Sequence, residues 1–211
     1  MTGIARMALL DLRTVAPYRN QGLLLFGLVV LIDVKSPHVL VPALVLLVTS
    51  QVAAYPFTVA DKAGLETLYA VLPLPRRTVL YGHYAWALAT FLGTASAGTA
   101  LALLLSRVQA APLDGRTLLT MLSASWALFA LNVAIQFPLF IRFGYSRISV
   151  LATTLPLALV MLAFVRLHPD IASVRIWLPA LWVAGAAAIV ASAAVAQTAD
   201  RRHLRRPRRR P

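Results

Sequence analysis

Five stretches of nearly unbroken apolar sequence dominate this chain, at residues 39–60, 81–105, 118–140, 148–165 and 176–197. A helix needs about 20 mainly apolar residues to cross a hydrocarbon layer of ~30 Å. Lipid offers no partner to backbone N–H and C=O groups, so segments of this length predict helices that satisfy themselves. Composition agrees. Of 211 residues, 60% are hydrophobic and 13% charged, where soluble chains run near 45–50% and 25%. The chain reads as an all-α integral membrane protein. Soluble enzymes, fibrous repeats and disordered chains are excluded.

A sixth span is marginal. Arg19 and Asp33 bracket thirteen residues, which reach only ~20 Å along a helix. A helix from Pro17 to Val34 still crosses if Arg19, Asn20, Gln21 and Asp33 turn their polar ends into the two interfaces. Pro17 suits a first helical turn. Charge decides the count, because Lys and Arg concentrate on the cytoplasmic side. With six spans, one side holds Arg6, Arg13, Arg19, Lys62, Arg76, Arg77, Arg142, Arg147 and the seven arginines after Asp200. The other side holds Lys35, Arg107, Arg116, Arg166 and Arg175. A re-entrant first segment would blur that fifteen-to-five split to twelve-to-eight. Six spans with both termini in the cytoplasm is the expectation. No small-residue cleavage site follows the first apolar run, so that segment is expected to remain as an anchor.

Much of the formal charge of +13 is a tail. Arg201, Arg202, Arg205, Arg206, Arg208, Arg209 and Arg210 carry seven of those charges. We expect a six-span transmembrane domain over 1–198 and a disordered basic tail over 199–211, resting on anionic inner-leaflet lipid at about 1 kcal/mol per arginine. No folded basic scaffold or aromatic interleaving points to nucleic acid.

Chemistry is sparse. There is no cysteine. The carboxylates Asp11, Asp33, Asp61, Glu66, Asp114, Asp170 and Asp200 all fall in loops, ends or the tail, and His38 and His83 lie near helix ends. Coupled carriers and most intramembrane enzymes need ionisable groups within the membrane. No H-E-x-x-H pair or Walker A loop is present. We therefore expect no catalytic residue, no metal and no cofactor, and a protein that is not itself an enzyme. The rival readings are a membrane-embedded lipid-modifying enzyme, with His83, Asp61 and Glu66 as a metal set, and a membrane assembly or regulatory protein that transports nothing.

Two cytoplasmic segments carry the most information. In 61–84, Leu65, Leu68, Tyr69 and Leu72 recur at i, i+3, i+4 and i+7, the stripe of a short amphipathic helix. Asp61 is placed to cap it, and Pro73 and Pro75 end it. Such a helix either lies on the inner leaflet or docks its stripe into a partner's groove. In 137–150, Pro138 is expected to interrupt the fourth span, Arg142 and Arg147 flank a tight turn, and Gly144 supplies its permissive backbone.

The spans themselves hold small-residue ladders, Thr90–Thr94–Gly98–Ala102 and Ala184–Ala188–Ser192–Ala196, that allow close helix packing. Ser125, Asn132 and Gln136 share one face of the fourth span, and Gln51, Tyr55 and Thr58 one face of the second. Interhelical hydrogen bonding is one role for these faces. A substrate path at a dimer interface, along Gln51, Ser125, Asn132 and Gln136, is the other.

Asp61, Lys62 and Gly64, a short helix, then Leu72, Pro73 and Arg76 leading to Val79, Gly82 and Tyr84 form one ordered element. Pro138, Leu139, Phe140, Arg142, Phe143, Gly144 and Tyr145 form a second. Together they resemble the permease subunits of ATP-binding cassette exporters of the type-2 class, six-span proteins common in bacterial cell (inner) membranes. Here Asp61 is followed directly by Lys62 rather than a second acid, and Ser146 stands where the pattern commonly has an acidic residue. The resemblance implies an ATP-driven exporter of amphiphiles such as drugs, peptides or lipids. It implies a separate ATPase subunit contacted through Asp61, Leu65, Leu68, Tyr69, Leu72 and Arg76. It implies a second cytoplasmic turn at Pro138, Arg142, Gly144 and Tyr145. A second permease chain, identical or not, completes the unit, and residues 1–20, around Ile4, Leu9, Leu10 and Leu12, form an interfacial helix.

Overall fold

The computed structural model describes residues 3–64, 75–110, 113–167 and 177–204, and they contain helices and turns with no strand. The chain runs through α1 (Gly3–Val15), a 3-10 turn (Ala16–Tyr18) and α2 (Arg19–Asp33). It continues through α3 (Pro37–Leu44), a π segment (Val45–Thr49) and α4 (Ser50–Lys62). The remaining helices are α5 (Arg76–Val108), α6 (Gly115–Phe143), α7 (Tyr145–Leu167) and α8 (Leu178–Leu204).

Five of these helical paths are long and apolar enough to cross a membrane: Met7–Asp33, Pro37–Lys62, Arg77–Val108, Gly115–Phe143 and Leu178–Thr198. The apolar part of α7, Tyr145–Val160, is shorter. α2 alone has 15 residues, but the helical path already runs through α1 and the 3-10 turn that contains Pro17. Beyond the apolar part of α8, helix continues to Leu204, past the boundary expected at residue 198.

Local chemistry sets the ends. The Asp114 carboxylate accepts a hydrogen bond from the Thr117 amide at 2.9 Å, capping α6, a use of Asp at a helix start that satisfies one orphan donor. Gly144, at φ +80°, closes α6, a conformation that side chains with a Cβ resist. Pro138 does not interrupt α6, contrary to expectation; the helix runs through it to Phe143. A proline removes one backbone donor but does not force a break when neighbouring helices hold the segment.

Pro56 shows how the bundle repairs such a loss. The Val52 carbonyl, four residues earlier, has no amide to accept from at Pro56. It accepts instead from Trp86 Nε1 at 3.2 Å, across from α5. α4 and α5 are thereby stitched where a backbone bond is missing.

Packing falls into two buried clusters. One joins Val29, Leu40, Val41, Leu44, Ala102 and Met121. The other gathers around Phe57, Tyr84, Phe91, Phe129, Phe137 and Phe140. Dispersion and close approach, rather than water exclusion, hold helices together in lipid. The small-residue ladder of α5 serves this purpose at its far end: Ala102 is fully buried, and a Cβ added to Gly98 would come within 3.0 Å of Leu44 Cδ1. On α8, Ser192 and Ala196 are buried while Ala184 is exposed. Gly185, one residue along, takes the tight contact with Trp126.

Candidate functional site

Two sequence elements 85 residues apart meet at one end of the bundle. The Asp61 carboxylate, in the last turn of α4 and beyond the apolar stretch 39–60, accepts a hydrogen bond from the Ser146 amide at 2.7 Å. Ser146 is in the first turn of α7, where unpaired amides and the helix dipole favour a negative charge. The Ser146 hydroxyl and amide hold the Asp61 carboxyl below the usual carboxylate range, and the Arg147 guanidinium acts in the same direction. Asp61 thus caps α7, and the amphipathic helix that it was expected to start lies outside the described residues. The missing acid at position 146 now has a physical reading. A carboxylate there would face Asp61, while serine donates to it.

The turn between α6 and α7 is built to present that amide. The Gly144 amide donates to the Phe140 carbonyl at 2.9 Å. Tyr145 tilts over Phe140 with ring centroids 5.1 Å apart. Arg142 is exposed and lies over the Phe143 ring at 5.2 Å. Pro138 is half-buried one turn earlier in α6.

Behind the turn lies an aromatic hub. Phe57 of α4 touches Phe137 and Phe140 of α6 at 4.9 and 5.5 Å, and His83 of α5 at 4.9 Å. Tyr84 contacts Phe137 at 4.9 Å, and its hydroxyl pairs with Ser192 of α8 at 2.7 Å. Aromatic pairs of this geometry add about 0.5–1.5 kcal/mol each beyond area burial. The ends of α4, α5, α6, α7 and α8 are therefore mechanically joined near the two motif segments.

The hub extends to α1 through an unforeseen pair. Asp11 Oδ2 and His83 Nδ1 lie 2.8 Å apart, with Asp11 1% and His83 6% exposed. Both residues were legible as lying near interfaces, but not as partners. The available signal was spacing: Met7, Asp11 and Val15 recur every four residues and are the buried stripe of α1. Met7 seats directly on Gly82 of α5, where an added Cβ would fall 2.4 Å from Met7 Cγ. Leu9, Leu10 and Leu12 remain exposed on the outside of α1.

Other expected site residues are placed as follows. Leu65, Leu68, Tyr69 and Leu72 lie outside the described residues. Arg76 opens α5. Ser125, Asn132 and Gln136 are buried inside the protomer, at 0, 4 and 2% exposure. Their bonds run along α6 itself: Ser125 Oγ donates to the Met121 carbonyl, Asn132 Nδ2 to the Leu128 carbonyl, and Gln136 Nε2 to Asn132 Oδ1. Gln51 is half-buried on α4. Among the described residues, no three His, Asp or Glu side chains come together in a way that would hold a metal. Of the set His83, Asp61 and Glu66, His83 is engaged by Asp11 and Asp61 by Ser146, and Glu66 lies outside the described residues.

The described residues form a helical bundle with five paths long and apolar enough to cross a membrane, and at one end of it Asp61 meets the turn before Ser146. A family model described as ABC-2 family transporter protein matches residues 9–196, and the chain belongs to that family as a membrane permease component of an ABC transporter. No curated protein and no solved structure matches the chain. Membership implies partnership with an ABC ATPase subunit, since the membrane component of this family is generally not itself catalytic.

Proposed function

We propose that this permease exports an amphiphilic substrate (drug, peptide or lipid) across a bacterial inner membrane, driven by hydrolysis on a separate ATPase. Six spans place both termini in the cytoplasm, with α7 as the fifth span. Residues 65–72 act as the coupling helix, seating Leu65, Leu68, Tyr69 and Leu72 in a groove of the ATPase. Two permease chains and two ATPase subunits make the working unit.

The observation that carries this reading is the Asp61–Ser146 bond. It ties the root of the 65–72 segment to the 138–145 turn, so a push on one loop reaches α4, α6 and α7 together. The aromatic hub around Phe57 and Phe137 passes that displacement to α5 and, through Tyr84 and Ser192, to α8. The burial of Ser125, Asn132 and Gln136 supports a packing role for that face. The basic tail holds the end of α8 to anionic lipid.

Co-purification with the cognate ATPase tests the reading. Leu68→Asp and Leu72→Asp are expected to insert normally, lose the ATPase and abolish ATP-driven uptake of substrate into inside-out vesicles. Retention of the complex by both variants would remove the coupling-helix assignment.

A further inference from the structure

We propose that the groove between the α1–α2 junction and α4 holds an anionic glycerophospholipid of the inner leaflet, as a resident lipid rather than cargo. The groove measures about 520 Å³, within the 300–1,000 Å³ typical of small-molecule sites. Its walls are apolar. Leu23 and Phe26 of α2 face Val48 and Val52 of the second span, with Trp86 of α5 also in the lining. An acyl chain suits such walls.

The rim is of the opposite character. Arg13 and Arg19 both line the groove, one on each side of the Ala16–Tyr18 turn, and both are exposed. Tyr18 stacks on Tyr55 at 5.4 Å beside them, an amphipathic aromatic pair of the kind found at headgroup depth. No carboxylate lines the groove, and among the described residues neither arginine has an acidic partner. The nearest acid in sequence, Asp11, is consumed by His83. Two unneutralised guanidinium forks above an apolar slot match a phosphodiester with acyl chains, because guanidinium binds phosphate in a bidentate manner.

Charge argues against the alternatives. The chain's own tail is a run of arginines and is repelled by this rim. A zwitterionic or neutral lipid leaves the arginines without a net counter-charge, and a free anion leaves the apolar walls uncovered. The inference rests on the reading that this end of the bundle is cytoplasmic. Bound there, the lipid bridges α1, α2 and α4 and holds α1 in the position that pairs Asp11 with His83.

The test uses the full-length permease in mild detergent, with phosphatidylglycerol, phosphatidylcholine and glycerol phosphate as probes. Lipid retention is read by native mass spectrometry. The wild type is expected to keep phosphatidylglycerol over phosphatidylcholine, and glycerol phosphate should not compete. Arg13→Gln with Arg19→Gln should reduce that preference about 30-fold, from the surface attraction of two arginines. Gly22→Trp should exclude lipid of either kind by filling the slot, since a Cβ there meets only Val52 Cγ2, at 3.6 Å. Equal retention of both lipids, competition by glycerol phosphate, or an unchanged double-arginine variant would overturn the site. Release of the lipid on adding ATPase and ATP would make it cargo and overturn the resident assignment. ATPase co-purification of the same variants is expected to be normal, which separates failure of this site from failure of the export reading.

Discussion

Separating Asp11 from His83 is expected to unseat α1 from α5. The two atoms lie 2.8 Å apart in a contact almost closed to solvent and lipid. Asp11→Ala leaves the imidazole buried without its acceptor, a loss of about 1–3 kcal/mol. Asp11→Asn keeps an acceptor oxygen at the same reach and should cost least. Asp11→Leu with His83→Leu removes both polar partners, so its cost should fall short of the summed single changes by ~1–3 kcal/mol. Unfolding by SDS titration in mixed micelles gives the global values. Hydrogen exchange gives the local one, and protection over residues 3–15 should drop in Asp11→Ala while the interior of α6 is unchanged. Additivity within ~0.5 kcal/mol, or unaltered protection in α1, would refute the coupling.

Gly144→Val forces a β-branched residue to φ +80°, at a cost of at least ~1–2 kcal/mol; loss of ATPase stimulation with retained membrane insertion checks that the turn matters for coupling. Trp86→Phe removes the donor to the Val52 carbonyl and should cost about 0.6–1.7 kcal/mol. Pro56→Ala in the same chain should recover most of it by restoring an amide at that position, which thermal unfolding in detergent will show. Because Asp61 is held below the usual carboxylate range, its bond to Ser146 should be complete at neutral pH and lost as pH falls through that lowered value. A tryptophan reporter at position 143 should sense this change in the parent chain and not in Asp61→Asn. Asn132→Leu with Gln136→Leu replaces both partners of a buried bond and should leave stability and export near the parent level. Loss of export with an intact fold would assign that face to the substrate instead.

The membrane class was legible because hydropathy in lipid is a property of segments, and 20-residue apolar runs have few other folded uses. The turn at Gly144 was legible for the same local reason, since only glycine accepts its φ cheaply. Pro138 misled because a single residue's rule was applied without the neighbouring helices that sustain α6 through it. The capping of α7 by Asp61 and the pairing of Asp11 with His83 were hidden for a different reason. Each joins residues more than 70 positions apart, and periodicity reports which face of one helix is apolar, not which partner that face meets. The buried face of α1 shows the limit most clearly. Its exposed leucines gave the more conspicuous pattern, while the contact with α5 runs through Met7, Asp11 and Val15.

On the proposed reading, the loop rooted at Asp61 is the handle by which a separate ATPase works this permease. The chain has no cysteine, so a single cysteine at Leu68 can be oxidatively crosslinked to single cysteines placed along the groove of a nucleotide subunit cleared of its own cysteines. A crosslink is expected at Leu68 and Leu72 that changes in yield on adding ATP, and none from exposed Arg116 at the opposite membrane face. Crosslinking at Arg116 with none at Leu68 would contradict that reading.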